Sequence, residues 1–119
     1  DADSATRDGV HEITTYTGNV IIKQGSLNVR ANTVKIYTKK NKLQRIVATG
    51  HPVKMEQKPR SNDDNVHASA KKITYYPKQK NITLEGDATL QQAGRKLKSQ
   101  RISYNLVDKF IEAKSTTKT

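Results

Sequence analysis

The sequence predicts an all-β fold, and three observations carry that prediction. Apolar and polar residues alternate with a period of two along most of the chain; Thr, Val, Ile and Tyr dominate the alternating runs; and turn-forming clusters interrupt them at short, regular intervals. Period two places one face of a strand against a core and the other in water. No window of about 11 residues sustains the i, i+3, i+4 spacing of a helix.

The runs follow in order. Tyr16, Gly18, Val20 and Ile22 share one face, with Thr17, Asn19 and Lys23 between them; Leu27, Val29 and Ala31 come next, then Val34 and Ile36. Ile46 and Ala48 flank Val47, and Val53 and Met55 flank Lys54. Beyond a polar stretch from Lys58 to Asn65, read as a loop, the pattern resumes in Ile73 and Tyr75, Ile82 and Leu84, Ala88 and Leu90, Ile102 and Tyr104, Ile111 and Ala113. Hairpin turns are expected at Gln24-Gly25-Ser26, Lys39 to Lys42, Pro77 to Asn81, Ala93-Gly94-Arg95 and Val107-Asp108-Lys109. About a dozen short strands result, in one domain over 1–115 with a flexible tail at 116–119.

Composition bounds the function. Ile, Leu, Val and Phe make 24 of 119 residues, close to the margin of disorder, and only their regular arrangement argues for a folded core. Absence of cysteine excludes a disulfide framework, a thiolate metal site and a cysteine nucleophile. No apolar run reaches the roughly 18 residues of a membrane-spanning helix, so a soluble chain is expected, cytosolic or exported with its leader removed. A net charge of +11 points to anionic partners. Basic residues crowd the segment from Lys23 to Arg60, where Glu56 is the lone acid. The expected anion contacts are Lys39, Lys40 and Lys42 in one turn and Arg95 and Lys96 in another.

Sites of chemistry are missing from the sequence. His11, His51 and His67 lack metal-ligand spacing, and no nucleophile elbow, Walker loop or dinucleotide fingerprint occurs. Glu85 and Asp87 sit beside Gly86 and read as strand residues rather than a catalytic pair. No enzyme, metal or cofactor is expected. Nucleic-acid binding is the alternative function, but it calls for exposed stacking aromatics interleaved with the basic residues; the chain has no Trp and one Phe. A purely structural module without ligand would show a filled, closed interior.

A longer repeat overlies the alternation. The run from Tyr16 to Gln24 recurs at Ala48 to Gln57 and at Leu84 to Gln92, and Gly18, Gly50 and Gly86 hold equivalent places as expected strand bends. Units of this kind cannot bury their apolar faces alone and must stack. Ala2 to Ala5 reads as the end of a further, truncated unit.

The T-G-N-V-I-I-K-Q-G run at Thr17 to Gly25, A-T-G-H-P-V at Ala48 to Val53, V-H-A-S at Val66 to Ser69 and L-E-G-D-A-T-L-Q-Q at Leu84 to Gln92 resemble the OstA-like family of lipopolysaccharide transport proteins, over roughly Ala2 to Ala113. Members carry an extended Gln-Pro-Ile-x-Ile strand ahead of the first unit, and this sequence begins after it. The resemblance implies a β-jelly roll of two antiparallel sheets in an open-ended V. It implies a periplasmic protein that shields lipopolysaccharide acyl chains in a groove without catalysis, associating head to tail with itself and with related jelly rolls of inner- and outer-membrane components. On that reading the groove lining is assigned to Val20, Ile22, Ile36, Met55, Ile73, Tyr75, Leu84, Leu90 and Tyr104.

Overall fold

A computed structural model of the chain describes residues 2–24, 26–58, 65–92, 94–105, 107 and 111–114. Residues 59–64 of the loop expected from Lys58 to Asn65, the tail at 116–119, Phe110 and the turn residues Gly25, Ala93, Asp108 and Lys109 lie outside the described residues.

Eight antiparallel strands follow one another in space as they do in sequence: β1 (Ser4–Asp8), β2 (Ile13–Gln24), β3 (Leu27–Lys39), β4 (Lys42–Gln57), β5 (Val66–Tyr76), β6 (Asn81–Gln92), β7 (Arg95–Asn105) and β8 (Ile111–Lys114). Strands joined by short turns pair with their sequence neighbours, which gives a simple meander. The turn between β3 and β4 shows the local cause: Lys40 and Asn41 take φ of 52° and 65°, as a two-residue primed turn requires.

The described strands are fewer and longer than the dozen short ones expected, because runs read as separate strands are halves of one. Pairing slips between Thr17 and Val20 on β2, between Arg30 and Thr33 on β3, and between Thr49 and Val53 on β4. It slips again between Ser69 and Lys72 on β5 and between Glu85 and Ala88 on β6. These bulges line up across the sheet and form a crease. Each adds residues that bend the strand while keeping the apolar face inward. On β3, Val29 and Val34 are both buried although their positions differ in parity; on β4 the same holds for Ala48 and Val53, and on β5 for Ala70 and Ile73.

At the two matching repeat copies the crease is built alike. Gly18-Asn19 has φ of 80° and 48°, and Gly86-Asp87 has φ of 85° and 48°. Two successive left-handed residues turn the strand sharply, and glycine holds the place where φ lies farthest from what a side chain tolerates. A Cβ at Gly86 would also meet the Lys71 Cβ at 2.9 Å, so that β5 crosses too close for any side chain.

The crease divides the sheet into two limbs. Limb 1 holds β2 from Val20, β3 as far as Ala31, β4 from Val53, β5 as far as Ala70, β6 from Ala88 and β7 as far as Ser99. Limb 2 holds the remaining halves with β1 and β8. Hydrogen bonding runs unbroken from strand to strand, so the two layers of the V are limbs of one folded sheet. Val34, Val53, Ile82, Leu84 and Ile102 are fully buried between them. The fragment at Ala2 to Ala5 joins limb 2: Ser4 pairs with Thr17, and the Asp3 amide donates to the carbonyls of Thr17 (3.0 Å) and Gly18 (2.9 Å).

Candidate functional site

The space between the limbs is the apolar feature of the fold. Ile22, Leu27 and Val29 of limb 1 face Ile46, Ala48, Ile73 and Tyr75 of limb 2 across a narrow slot of about 20 Å³, little more than one water molecule. Its walls contribute almost no polar surface, so it offers apolar contact and no hydrogen bond. A separate recess of about 580 Å³ lies between Ala2 to Ala5 and Tyr16, Val20, Ile21, Ile22 and Lys23 of β2, with Ile36 also in its lining. Ile22 lines both spaces.

The nine residues assigned to a groove from sequence divide into three groups. Val20, Ile22 and Ile36 line the recess. Ile73 and Tyr75 line the slot together with Ile22. Met55, Leu84, Leu90 and Tyr104 are between 0% and 3% exposed and pack into the closed core, the last three on β6 and β7. Val20 and Ile73 are buried to the same degree, so what separates the groups is position: among the described residues, none of β6 or β7 lines the slot or the recess. Leu27, Val29, Ile46 and Ala48 line the slot and were not singled out. Their phase in the alternation is visible in the sequence, but only strand register brings Ile46 beside both Ile36 and Tyr75.

The expected anion contacts do not form one site. Lys39, Lys40 and Lys42 lie at the β3–β4 turn, at the limb 2 end, whereas Arg95 and Lys96 begin β7 at the limb 1 end. Lys96 instead shares a trough on the outer face of limb 1 with Lys23, Arg30 and Lys54. Among the described residues Lys71, 3.6 Å from Asp87, is the one lysine or arginine in an ion pair with a carboxylate. Also among the described residues, no three His, Asp or Glu side chains gather where a metal could bind.

An all-β meander folded along a crease, with a nearly apolar slot between its limbs, is the arrangement to compare with known proteins. The profile of the family described as “LptA/(LptD N-terminal domain) LPS transport protein” matches residues 1–110. The chain belongs to that family. Lipopolysaccharide export system protein LptH of Pseudomonas aeruginosa is 30% identical over 117 residues, covering 98% of this chain and 67% of the relative. Lipopolysaccharide export system protein LptA of Haemophilus influenzae is 30% identical over 120 residues, covering 98% and 69%. The chain thus spans about two thirds of these relatives. The crystal structure of LptH, titled the LptA-homologous periplasmic component of the lipopolysaccharide transport device of Pseudomonas aeruginosa, superimposes with a TM-score of 0.90 at 28% identity, covering all of this chain and 87% of that one. The all-β, antiparallel fold is shared with LptH, and the LptA/LptD N-terminal family is one of transport proteins, not of enzymes.

Proposed function

We propose that this chain is a periplasmic segment of a lipopolysaccharide bridge that holds acyl chains between its limbs while the saccharide stays in water. The observation that carries the reading is the nearly apolar slot between the limbs, with a recess on the other side of Ile22. At about 20 Å³ the slot holds no acyl chain as it stands, so the limbs part along the crease when lipid enters. Parting is inexpensive when lipid replaces protein as the contact. Each buried methylene returns about 0.8 kcal/mol, which offsets the apolar wall area separated. The periplasmic placement rests on the similarity to LptH and the other export-system relatives.

Sheet edges support the bridging part. β1 pairs with β2 only as far as Thr17, and β8 pairs with β7 only from Arg101, so among the described residues limb 1 is bounded by β2 on one side and β7 on the other. Such edges accept a further strand, from a second copy or from a related jelly roll of the inner- or outer-membrane machinery, and the slot would continue across the junction. Nothing in the fold supplies energy for movement; the bridge passes on lipid pushed into it.

The test is a titration with intact lipopolysaccharide beside its de-acylated saccharide at two salt concentrations. Tight binding that needs the acyl chains and survives added salt is expected, with only weak, salt-sensitive binding of the saccharide. Binding indifferent to acylation and abolished by salt would overturn the proposal and restore the polyanion reading, nucleic acid included.

A further inference from the structure

The turns at the far end of limb 2 form a rim. They join β1 to β2, β3 to β4, β5 to β6 and β7 to β8, each two strands from the next. Successive turns therefore stand about 10 Å apart, and the row is about 30 Å long. Its middle is cationic, with Lys39, Lys40 and Lys42 at the second turn and Lys78 and Lys80 at the third, all exposed. Its two ends are apolar. Val10 in the first turn and Val107 in the last are 88% and 62% exposed, and among the described residues they are the large apolar side chains left in water. The opposite rim, at the limb 1 end, has no such side chain among the described residues.

One exposed valine is ordinary; two held outward at the ends of a cationic row call for a reason. The same device holds both. Asp8 Oδ1 accepts from the Val10 amide at 3.1 Å, and Asn105 Oδ1 accepts from the Val107 amide at 2.9 Å. An Asp or Asn oxygen bonded to the amide two residues on closes a tight turn and fixes the residue at its tip. The turns are also braced in pairs. Glu12 Oε1 accepts from the Lys40 amide at 2.9 Å and the Glu12 carbonyl from the Thr38 amide at 3.0 Å, which ties the first turn to the second. Asn105 Nδ2 donates to the Gln79 carbonyl at 3.3 Å, which ties the last turn to the third. Two acids of the rim are thereby engaged, Glu12 with that amide and Asp8 with His11 Nδ1 at 2.7 Å.

We propose that this rim docks the protein on an anionic phospholipid surface, with the lysines over the headgroup phosphates and the two valines inserted at the acyl boundary. Stable attachment to a bilayer takes two signals, apolar insertion and attraction to anionic headgroups, and the rim carries both in one braced row. A soluble polyanion would answer the lysines and leave the valines in water. Tyr75 of the slot lies two residues before Pro77 of the third turn, so docking sets one wall of the slot beside the bilayer. The phospholipid is a support here and not the cargo, so the proposal does not depend on lipopolysaccharide binding.

The test is co-sedimentation with vesicles free of lipopolysaccharide, one set of phosphatidylcholine and one with phosphatidylglycerol added. Binding to the second set and not the first is expected, and it should weaken with salt. Val10→Ser with Val107→Ser should weaken it about tenfold with net charge unchanged. Lys78→Gln with Lys80→Gln should cost about as much and make the salt dependence shallower. Lys54→Gln with Lys96→Gln, the same charge change on the outer face of limb 1, should leave binding within about twofold. All six positions are exposed, so melting temperatures should stay at the parent value. Val10→Trp, the single indole of its variant, should shift its emission to the blue on anionic vesicles and not with inorganic polyphosphate. Equal binding to both vesicle sets, equal losses from the two lysine pairs, or a valine pair whose replacement changes nothing would overturn the assignment. Acyl-dependent binding of lipopolysaccharide is read in a separate titration, so either proposal can fail alone.

Discussion

Replacing Gly86 with alanine tests the crease on which the two facing limbs depend. At φ of 85° an L-residue is strained by about 1–2 kcal/mol, and the new Cβ would lie 2.9 Å from Lys71 Cβ, with Lys71 Cδ and Cγ at 3.1 and 3.2 Å. The Cβ of Lys71 is fixed to β5 and cannot swing aside as the end of the side chain can. Forcing the strands apart by a few tenths of an ångström costs about 1 kcal/mol more. The sum is about 2–3 kcal/mol, a fall of about 8–12 °C in melting temperature for a chain of this size. Two alanine controls separate the contributions. Gly94 has φ of 76° with nothing within 4 Å, so Gly94→Ala should show the strain alone. Gly9 has no left-handed φ and open space around it, so Gly9→Ala should stay within about 0.5 kcal/mol of the parent. Thermal melts and urea titrations of the three variants give the order. Gly86→Ala matching Gly94→Ala would refute the steric contribution, and Gly86→Ala matching Gly9→Ala would refute the left-handed crease.

Two further outcomes are expected. Ile36→Asp, in the lining of the recess, should weaken lipopolysaccharide binding at least tenfold more than Val47→Asp on the outer face of its neighbour strand β4, measured on variants with folded circular-dichroism spectra; equal losses would refute the inner-face assignment. The Asp8 carboxyl is held below its usual 3.8, mainly by the side-chain hydrogen bond with His11 Nδ1 at 2.7 Å. A depressed carboxyl adds stability above its unfolded pKa and loses it as pH falls through the folded one, so Asp8→Asn should shrink the loss of stability in urea melts between pH 5 and the region below 3.8, by a small amount because the pair is exposed.

Alternation by twos was enough to identify an all-β chain and much of its inward set, since Val20, Val34, Ala48, Val53, Ile73 and Leu84 are all buried as their phase requires. Tyr37 is out of phase with Val34 and Ile36, and the Arg45 guanidinium sits 4.1 Å above its ring. Continuity across the crease was hidden. A one-residue change of phase between Ala31 and Val34 looks the same whether a strand ends or bulges, and only pairing on both sides of the slip shows that β3 continues. The repeat glycines carried a partial signal: Gly18 and Gly86 turn left-handed with the residue after them, whereas the Gly50 copy bends through Thr49 to Val53 with its φ outside that region. Period two also could not tell recess from core. Leu90 and Ile22 read alike in the sequence, yet Leu90 is sealed on β6 between β5 and β7 while Ile22 on β2 lines the recess beside β1, a difference of position in the sheet and not of phase.

The same lack of distinction suits the proposed transport. A carrier that passes lipid along must hold it without a deep minimum, because a single tight position would stop movement. Walls made of Ile, Val, Leu and Ala with the ring of Tyr75 repeat at the strand spacing of about 4.8 Å and offer most methylenes similar contact wherever they lie. A polar group in the slot would create a preferred position; its walls expose almost none. Directional recognition would then belong to the saccharide, which stays in water outside the slot, so slot variants should change the acyl-dependent affinity and leave binding of the free saccharide as it is.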